Sequence, residues 1–280
     1  MDDPRIIDVR APDLSRGPCL APGGETNRMI AADTPAQGAR GKGLRVAAGE
    51  AEHPSMTRSF QLERDSMVET QIVRRGIRDE RLLRALRSVA RERFVDERLA
   101  ESAHDDTPLP IEAGQTISQP FRVAWMIAAA EVGERDSVLE VGAGSGYSAA
   151  VLAHVAATVH AIERHDVLTR MARERLASLD CRNVHLRTGD GTLGWPERAP
   201  FDAILVAAAG PEVPAPLRQQ LAIGGRLVMP LDLCDGTGTQ RLLKLVRTGE
   251  SAYDQQTLGS VAFVPLIGRH GWAADPEPDG

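Results

Sequence analysis

The chain has 280 residues, 42% of them hydrophobic and 26% charged. That is an ordinary soluble globular composition, and it excludes a chain that is disordered throughout. The net charge of −6 offers no basic surface for nucleic acid or an anionic membrane, so neither is expected as a partner. No apolar run approaches the roughly 18 residues of a membrane span. The acidic start MDDPRIIDVR lacks the apolar segment of a secretory signal, so a cytoplasmic protein is expected. The cysteines Cys19, Cys181 and Cys234 are far apart and odd in number. They form no CxxC knuckle, no metal is expected, and separate thiols are the simplest reading.

Residues 1–55 contain 7 Gly, 6 Pro and no aromatic residue; Phe60 is the first. Such a segment cannot offset the entropy of ordering, and a disordered extension is expected. Met56 and Met67 leave two readings open: a start assigned too far upstream, or a genuine extension that meets a partner. The catalytic domain is expected over 56–272, with a frayed tail over 273–280.

Asp79 opens a helical pattern carried by Leu82, Leu83, Leu86, Val89, Ala90 and Phe94, with arginines on a face expected to be solvated. Residues 104–120 hold prolines, glycine and small polar residues, and are expected to be irregular. Pro120 starts an apolar helix to about Glu131. From there strands and helices alternate. Strands are expected at 137–141, 158–163, 183–188, 201–208 and 225–231, and helices at 147–156, 167–179 and near 215–221. The runs 241–247 and 260–268 read as two last strands with no helix between them. Alternation of this kind predicts a doubly wound α/β fold, mostly parallel with an antiparallel edge, and ligands at the carboxyl ends of its strands.

The first of these strands ends in Glu140, Val141, Gly142, Ala143, Gly144, Ser145, Gly146 and Tyr147. Glycines there let the chain turn and let a ligand approach the main chain. Tyr147 stands where a dinucleotide fingerprint wants its last glycine. Glu140, at the strand end, would repel a pyrophosphate but can face an ammonium group. Both features fit S-adenosyl-L-methionine better than NAD. Glu163 ends the next strand, 21 positions after Gly142, where an acid can accept from both ribose hydroxyls. Asp190, between Gly189 and Gly191, suits the exocyclic amine of adenine, or simply makes a turn.

The run Gln115-Thr116-Ile117-Ser118-Gln119-Pro120 then narrows the class. With VLEVGAGSGY, the GDG turn, residues 194–214 and 220–230, Gln240 and the segment FVPLIG at 263–268, the chain resembles the protein-L-isoaspartate (D-aspartate) O-methyltransferases over about 67–272. The resemblance implies a Rossmann-like, S-adenosylmethionine-dependent fold. It also implies methylation of the α-carboxylate of isoaspartyl and D-aspartyl residues in damaged proteins, with return through a succinimide, by an enzyme expected to be monomeric. By the same resemblance Ser118 is the active-site serine. Gln115, Thr116, Ile117 and Gln119 cover the cofactor and acceptor. Gly142, Gly144 and Gly146 hold the cofactor within the loop from Glu140 through Ala143 and Ser145, Glu163 takes the ribose, Gly189, Asp190 and Gly191 the adenine side, and Gln240 lies near the cofactor. Ser118 is equally placed to cap the helix that Pro120 opens. Three positions depart from the family pattern: His104 replaces an aromatic, Glu112 a glycine and Ala207 a threonine. Glu112 and Ala207 motivate an alternative, in which the same chemistry acts on a different carboxylate such as a peptide natural product or a small molecule.

Overall fold

The computed structural model describes residues 54–234 and 236–273. The expected tails over 1–55 and 273–280 lie, apart from their inner edges, outside the described residues.

The description opens with α1, Pro54–Met67, which has no apolar stripe to announce it in the sequence. It runs on through a π-helical turn, Val68–Ile72, and ends at Gly76, whose φ of 95° is open to glycine without strain. Helix α2, Glu80–Ser88, is capped by Asp79, whose carboxylate accepts from the amides of Arg81 and Leu82. It stops six residues short of the expected pattern's reach at Phe94, because Val89 turns extended at ψ 117°. Ala90 to Phe94 continue as a separate 3₁₀ turn that points inward. A short antiparallel pair follows, β1 (Leu109–Pro110) with β2 (Thr116–Ile117). Pro120 then stands at the first turn of α3, Pro120–Ala129.

The central sheet begins at β3, Ser137–Val141. It continues with α4 (Tyr147–Ala153), β4 (Thr158–Glu163), α5 (Asp166–Ser178), β5 (Val184–Thr188), β6 (Phe201–Val206), α6 (Ala215–Gln219) and β7 (Leu221–Asp232). The order across the sheet is β5-β4-β3-β6-β7 in parallel. Then come β8 (Gln240–Arg247) and β9 (Tyr253–Val261), each antiparallel to its neighbour. Chain order reverses between β3 and β6, which opens a crevice at their carboxyl ends. The central strands are apolar on both faces because both are covered. Val138, Val159, Ala203 and Leu205 face one core, and Leu139, Val141, Ile162, Ile204 and Val206 face the other.

One expectation needs correction. The last strand is 253–261, not 260–268. Its sequence, YDQQTLGSV, is mostly exposed on an edge, so it lacks the apolar signature of a buried strand. Residues 263–268 instead form a strap that crosses the strand ends and makes isolated bridges at Pro265 and Ile267. Cys181 is a free thiol, as expected, with its pKa raised by burial and by Asp180.

Candidate active site

A cleft of about 1000 Å³, counted to its open mouth, lies at the carboxyl ends of β3, β4 and β6. Its floor is the turn after β3. Gly142 and Ala143 donate their amides to the carbonyl of Ile162, which curls the loop toward β4. Gly146, at φ 90°, starts α4, and a side chain there would press within 3.1 Å of Ala172. Gly191 is constrained differently: a Cβ would lie 2.4 Å from Val141, so any side chain displaces the strand end beneath it.

Two acids face this floor. Glu163 is anchored by main chain: one oxygen accepts from the Gly144 amide at 2.8 Å and the other from the His165 amide at 2.9 Å. Each oxygen keeps a further lone pair for a ligand hydroxyl. Glu140 is 1% exposed, and its Oε2 has no hydrogen-bond partner among the described residues. Burial pushes its pKa up to about 8, helped by the nearby charge of Glu163 and opposed by the Ser148 hydroxyl. A buried, orphaned carboxylate of this kind is satisfied by a cation, which is what the sulfonium and ammonium of an adenosyl-amino-acid ligand present. The residues therefore fit S-adenosylmethionine.

One side wall is the β1–β2 strap. Gln115, Thr116, Ile117 and Ser118 line the cleft. Ser118 does not cap α3: Gln119 holds the cap position and makes no side-chain cap bond. The Ser118 hydroxyl has no hydrogen-bond partner among the described residues and faces the cleft, while its carbonyl accepts from Arg91 at 2.8 Å. The opposite wall is the strap Phe263–Ile267.

Of the residues singled out by sequence, Gln115, Thr116, Ile117, Ser118, Glu140, Gly142, Ala143, Gly144, Ser145, Glu163 and Gly191 line the cleft. Gln119, Gly146, Gly189, Asp190 and Gln240 stand behind it. Gln119 donates to the Asp106 carbonyl. The amide of Gly189 donates to the Glu163 carbonyl. The Asp190 carboxylate accepts from the amide and hydroxyl of Thr192 and from the Arg269 amide, so it ties the strap to the end of β5. Burial raises its pKa, and these hydrogen bonds more than reverse that, leaving it lowered. Gln240 grips Phe263 at both main-chain atoms: its Oε1 accepts from the amide at 2.7 Å and its Nε2 donates to the carbonyl at 3.1 Å.

Sequence reasoning missed Arg91, which it placed on a solvated face. Arg91 is 0% exposed and donates to the carbonyls of Ala103 and Ser118. Its guanidinium carbon lies 4.6 Å from the ring centroid of Tyr147, a wall of the cleft. It also missed the strap and the apolar residues Val123 and Met126, which face the cleft from α3. His104 packs as a buried residue, with Nδ1 3.2 Å from Glu63 and Nε2 3.3 Å from Glu92. It does not line the cleft. Ala207 does, without the hydroxyl of the family pattern.

The parallel sheet, the reversal point and an acid at the end of each of β3 and β4 define a Rossmann-like, adenosyl-binding methyltransferase. A family model described as protein-L-isoaspartate(D-aspartate) O-methyltransferase matches residues 62–271. The chain belongs to that family. It is 52% identical over 215 residues to the protein-L-isoaspartate O-methyltransferase of Brucella anthropi, covering 77% of this chain and 98% of that one. It is 55% identical over 204 residues to that of Methylorubrum populi, covering 73% and 94%. A solved structure from Plasmodium falciparum, described as a protein-L-isoaspartate O-methyltransferase in complex with S-adenosyl-L-homocysteine, superposes at a TM-score of 0.63. That match has 25% identity and covers 73% of this chain and 98% of the other. A second solved protein-L-isoaspartate O-methyltransferase gives a TM-score of 0.68 at 24% identity, covers 75% and 67%, and supports the fold alone.

Proposed function

We propose that the chain methylates the α-carboxylate of L-isoaspartyl and D-aspartyl residues in damaged proteins, with S-adenosylmethionine as donor. The observation that carries this is one cleft lined by two chemically distinct sets of groups. The orphaned Glu140 and the anchored Glu163 suit a cationic adenosyl ligand, and the Ser118 hydroxyl, on the loop 115–118, lines the same cleft. When bound, S-adenosylmethionine supplies a methyl group on a sulfonium that leaves as a thioether.

This chain's residues then have three tasks. Glu163, through its remaining lone pairs, holds the ribose. Glu140 carries the charge opposite the ammonium. Ser118 would donate to the acceptor carboxylate and hold one of its oxygens. The acceptor has a pKa near ~4 and is ionised at neutral pH, so no general base is required. Rate enhancement comes from alignment and from exclusion of water by the two straps. The methyl ester cyclises to a succinimide without further help, and hydrolysis returns part of it to normal aspartate. Monomeric action in the cytoplasm is part of the proposal. Among the described residues no helix is long and apolar enough to cross a membrane.

The test is methyl incorporation into an isoaspartyl peptide and its normal aspartyl twin. Labelling of the isoaspartyl peptide alone is expected. Equal labelling, or none, would overturn the proposal. Ser118→Ala is expected to lower turnover about 10- to 100-fold while leaving the protein folded.

A further inference from the structure

A group of residues around the start of α3, linked to both the Ser118 loop and the segment before Phe263, is not used by the chemistry above. Phe121 and Trp125, on α3, stack with centroids 5.8 Å apart at 22°. Arg75 lies over the Phe121 ring at 4.6 Å, and Arg122 over the Trp125 ring at 5.6 Å. Arg122 donates to the Ser260 carbonyl, and Arg241 to the Ser260 hydroxyl. Arg75 pairs with Asp106, whose carbonyl accepts from Gln119. The group is thus tied to the Ser118 loop at one end. At the other it is tied to Ser260, three residues before the cleft-lining Phe263.

Its charge is unbalanced. Of the three guanidinium groups only Arg75 has a carboxylate partner, Asp106, and neither Arg122 nor Arg241 has an acidic partner among the described residues. Burial and the neighbouring charge of Arg75 push the Arg122 pKa down, and Asp106 only partly opposes them. Holding like charges together costs free energy that an anion at the same place recovers. The surplus sits in a chain whose net charge is −6, so it is a local feature and not a general one. The stacked rings hold the guanidinium planes in place, which lowers the entropy lost when they engage a carboxylate.

We propose that this ledge binds an acidic side chain flanking the isoaspartyl residue in the acceptor polypeptide, so that damaged sites in acidic sequence are preferred. The proposal rests on the isoaspartyl reading of the cleft. Steering of this kind acts on encounter and on KM more than on the chemical step.

The experiment uses two isoaspartyl peptides that differ only in flanking Glu or Gln, assayed with the full chain. KM for the Glu peptide is expected to be about three- to tenfold lower, with kcat unchanged and the gap closing as salt rises. In Arg241→Gln and in Arg122→Gln the ratio should fall toward one. Arg122→Lys, which keeps the charge, should retain part of it, and this separates loss of charge from a displaced Ser260. Equal KM values for the two peptides in the wild-type protein would overturn the ledge and leave the isoaspartyl reading intact. A preference that survives both neutralising substitutions, or all salt, would also overturn it. Failure to methylate either peptide would overturn both.

Discussion

Glu140 is the residue whose environment conflicts most with its charge. It keeps its proton up to about pH 8, against an ordinary value of 4.5. A cationic ligand favours the ionised form, so binding below about pH 8 expels that proton. Affinity for S-adenosylmethionine should therefore climb with pH and level off above about 8; calorimetry in buffers of different ionisation heat would also count the proton released. The unfolded chain ionises this group near 4.5, so the ligand-free protein loses stability from Glu140 as pH rises from there through 8. Glu140→Gln should remove both dependences and weaken binding roughly tenfold. Glu140, Gly142 and Glu163 were legible in the sequence because a strand end followed by glycines is a local signal. Arg91 was not. Its partners are carbonyls 12 and 27 positions away, and nothing local distinguishes it from the exposed arginines around it.

Among elements, the loop bearing Ser118 and the strap Phe263–Ile267 are each gripped at the main chain by a polar side chain from elsewhere in the fold. Arg91 serves the first and Gln240 the second. Arg91→Leu leaves two carbonyls without their donor, and a loss of about 2–4 kcal/mol in denaturant unfolding is expected. Lysine should not rescue it, because one ammonium cannot reproduce the fork that spans both carbonyls. Strands β3, β4 and β6 were legible as apolar runs because they are covered on both faces. Strand β9 was not, since an edge strand is under no such demand, and its neighbour FVPLIG carried the apolar composition for another purpose. The strap's function depends on where β8 and β9 return the chain, and no short window of sequence reports that.

Across the whole molecule the cleft is shared by distant parts of the chain: 115–118, 140–165 and 263–267. None of these holds the ligand alone, so ligand binding ties them together. At a ligand concentration near 100 times Kd, unfolding should become harder by about 2.7 kcal/mol. Hydrogen exchange should slow in all three segments, not only in the glycine turn. Slowing confined to 140–165 would show that the straps do not close on the ligand. The doubly wound sheet itself was legible from alternation alone. The antiparallel edge was expected too, but its register was not, because pairing there is set by the turn at 248–252 and not by an apolar pattern.

Asp190 and Gly191 have a further consequence, one of self-preservation. An aspartyl residue followed by glycine is the sequence in which a backbone amide most freely attacks the side-chain carboxyl, since glycine offers no steric hindrance. A chain that acts on the products of that attack thus carries a site for it beneath its own cofactor cleft. Asp190 answers through the bonds already described. Thr192 and the Arg269 amide keep its carboxylate ionised, and an ionised carboxylate is a poor electrophile. The contacts that fasten the strap therefore also slow the ageing of the turn that fastens it.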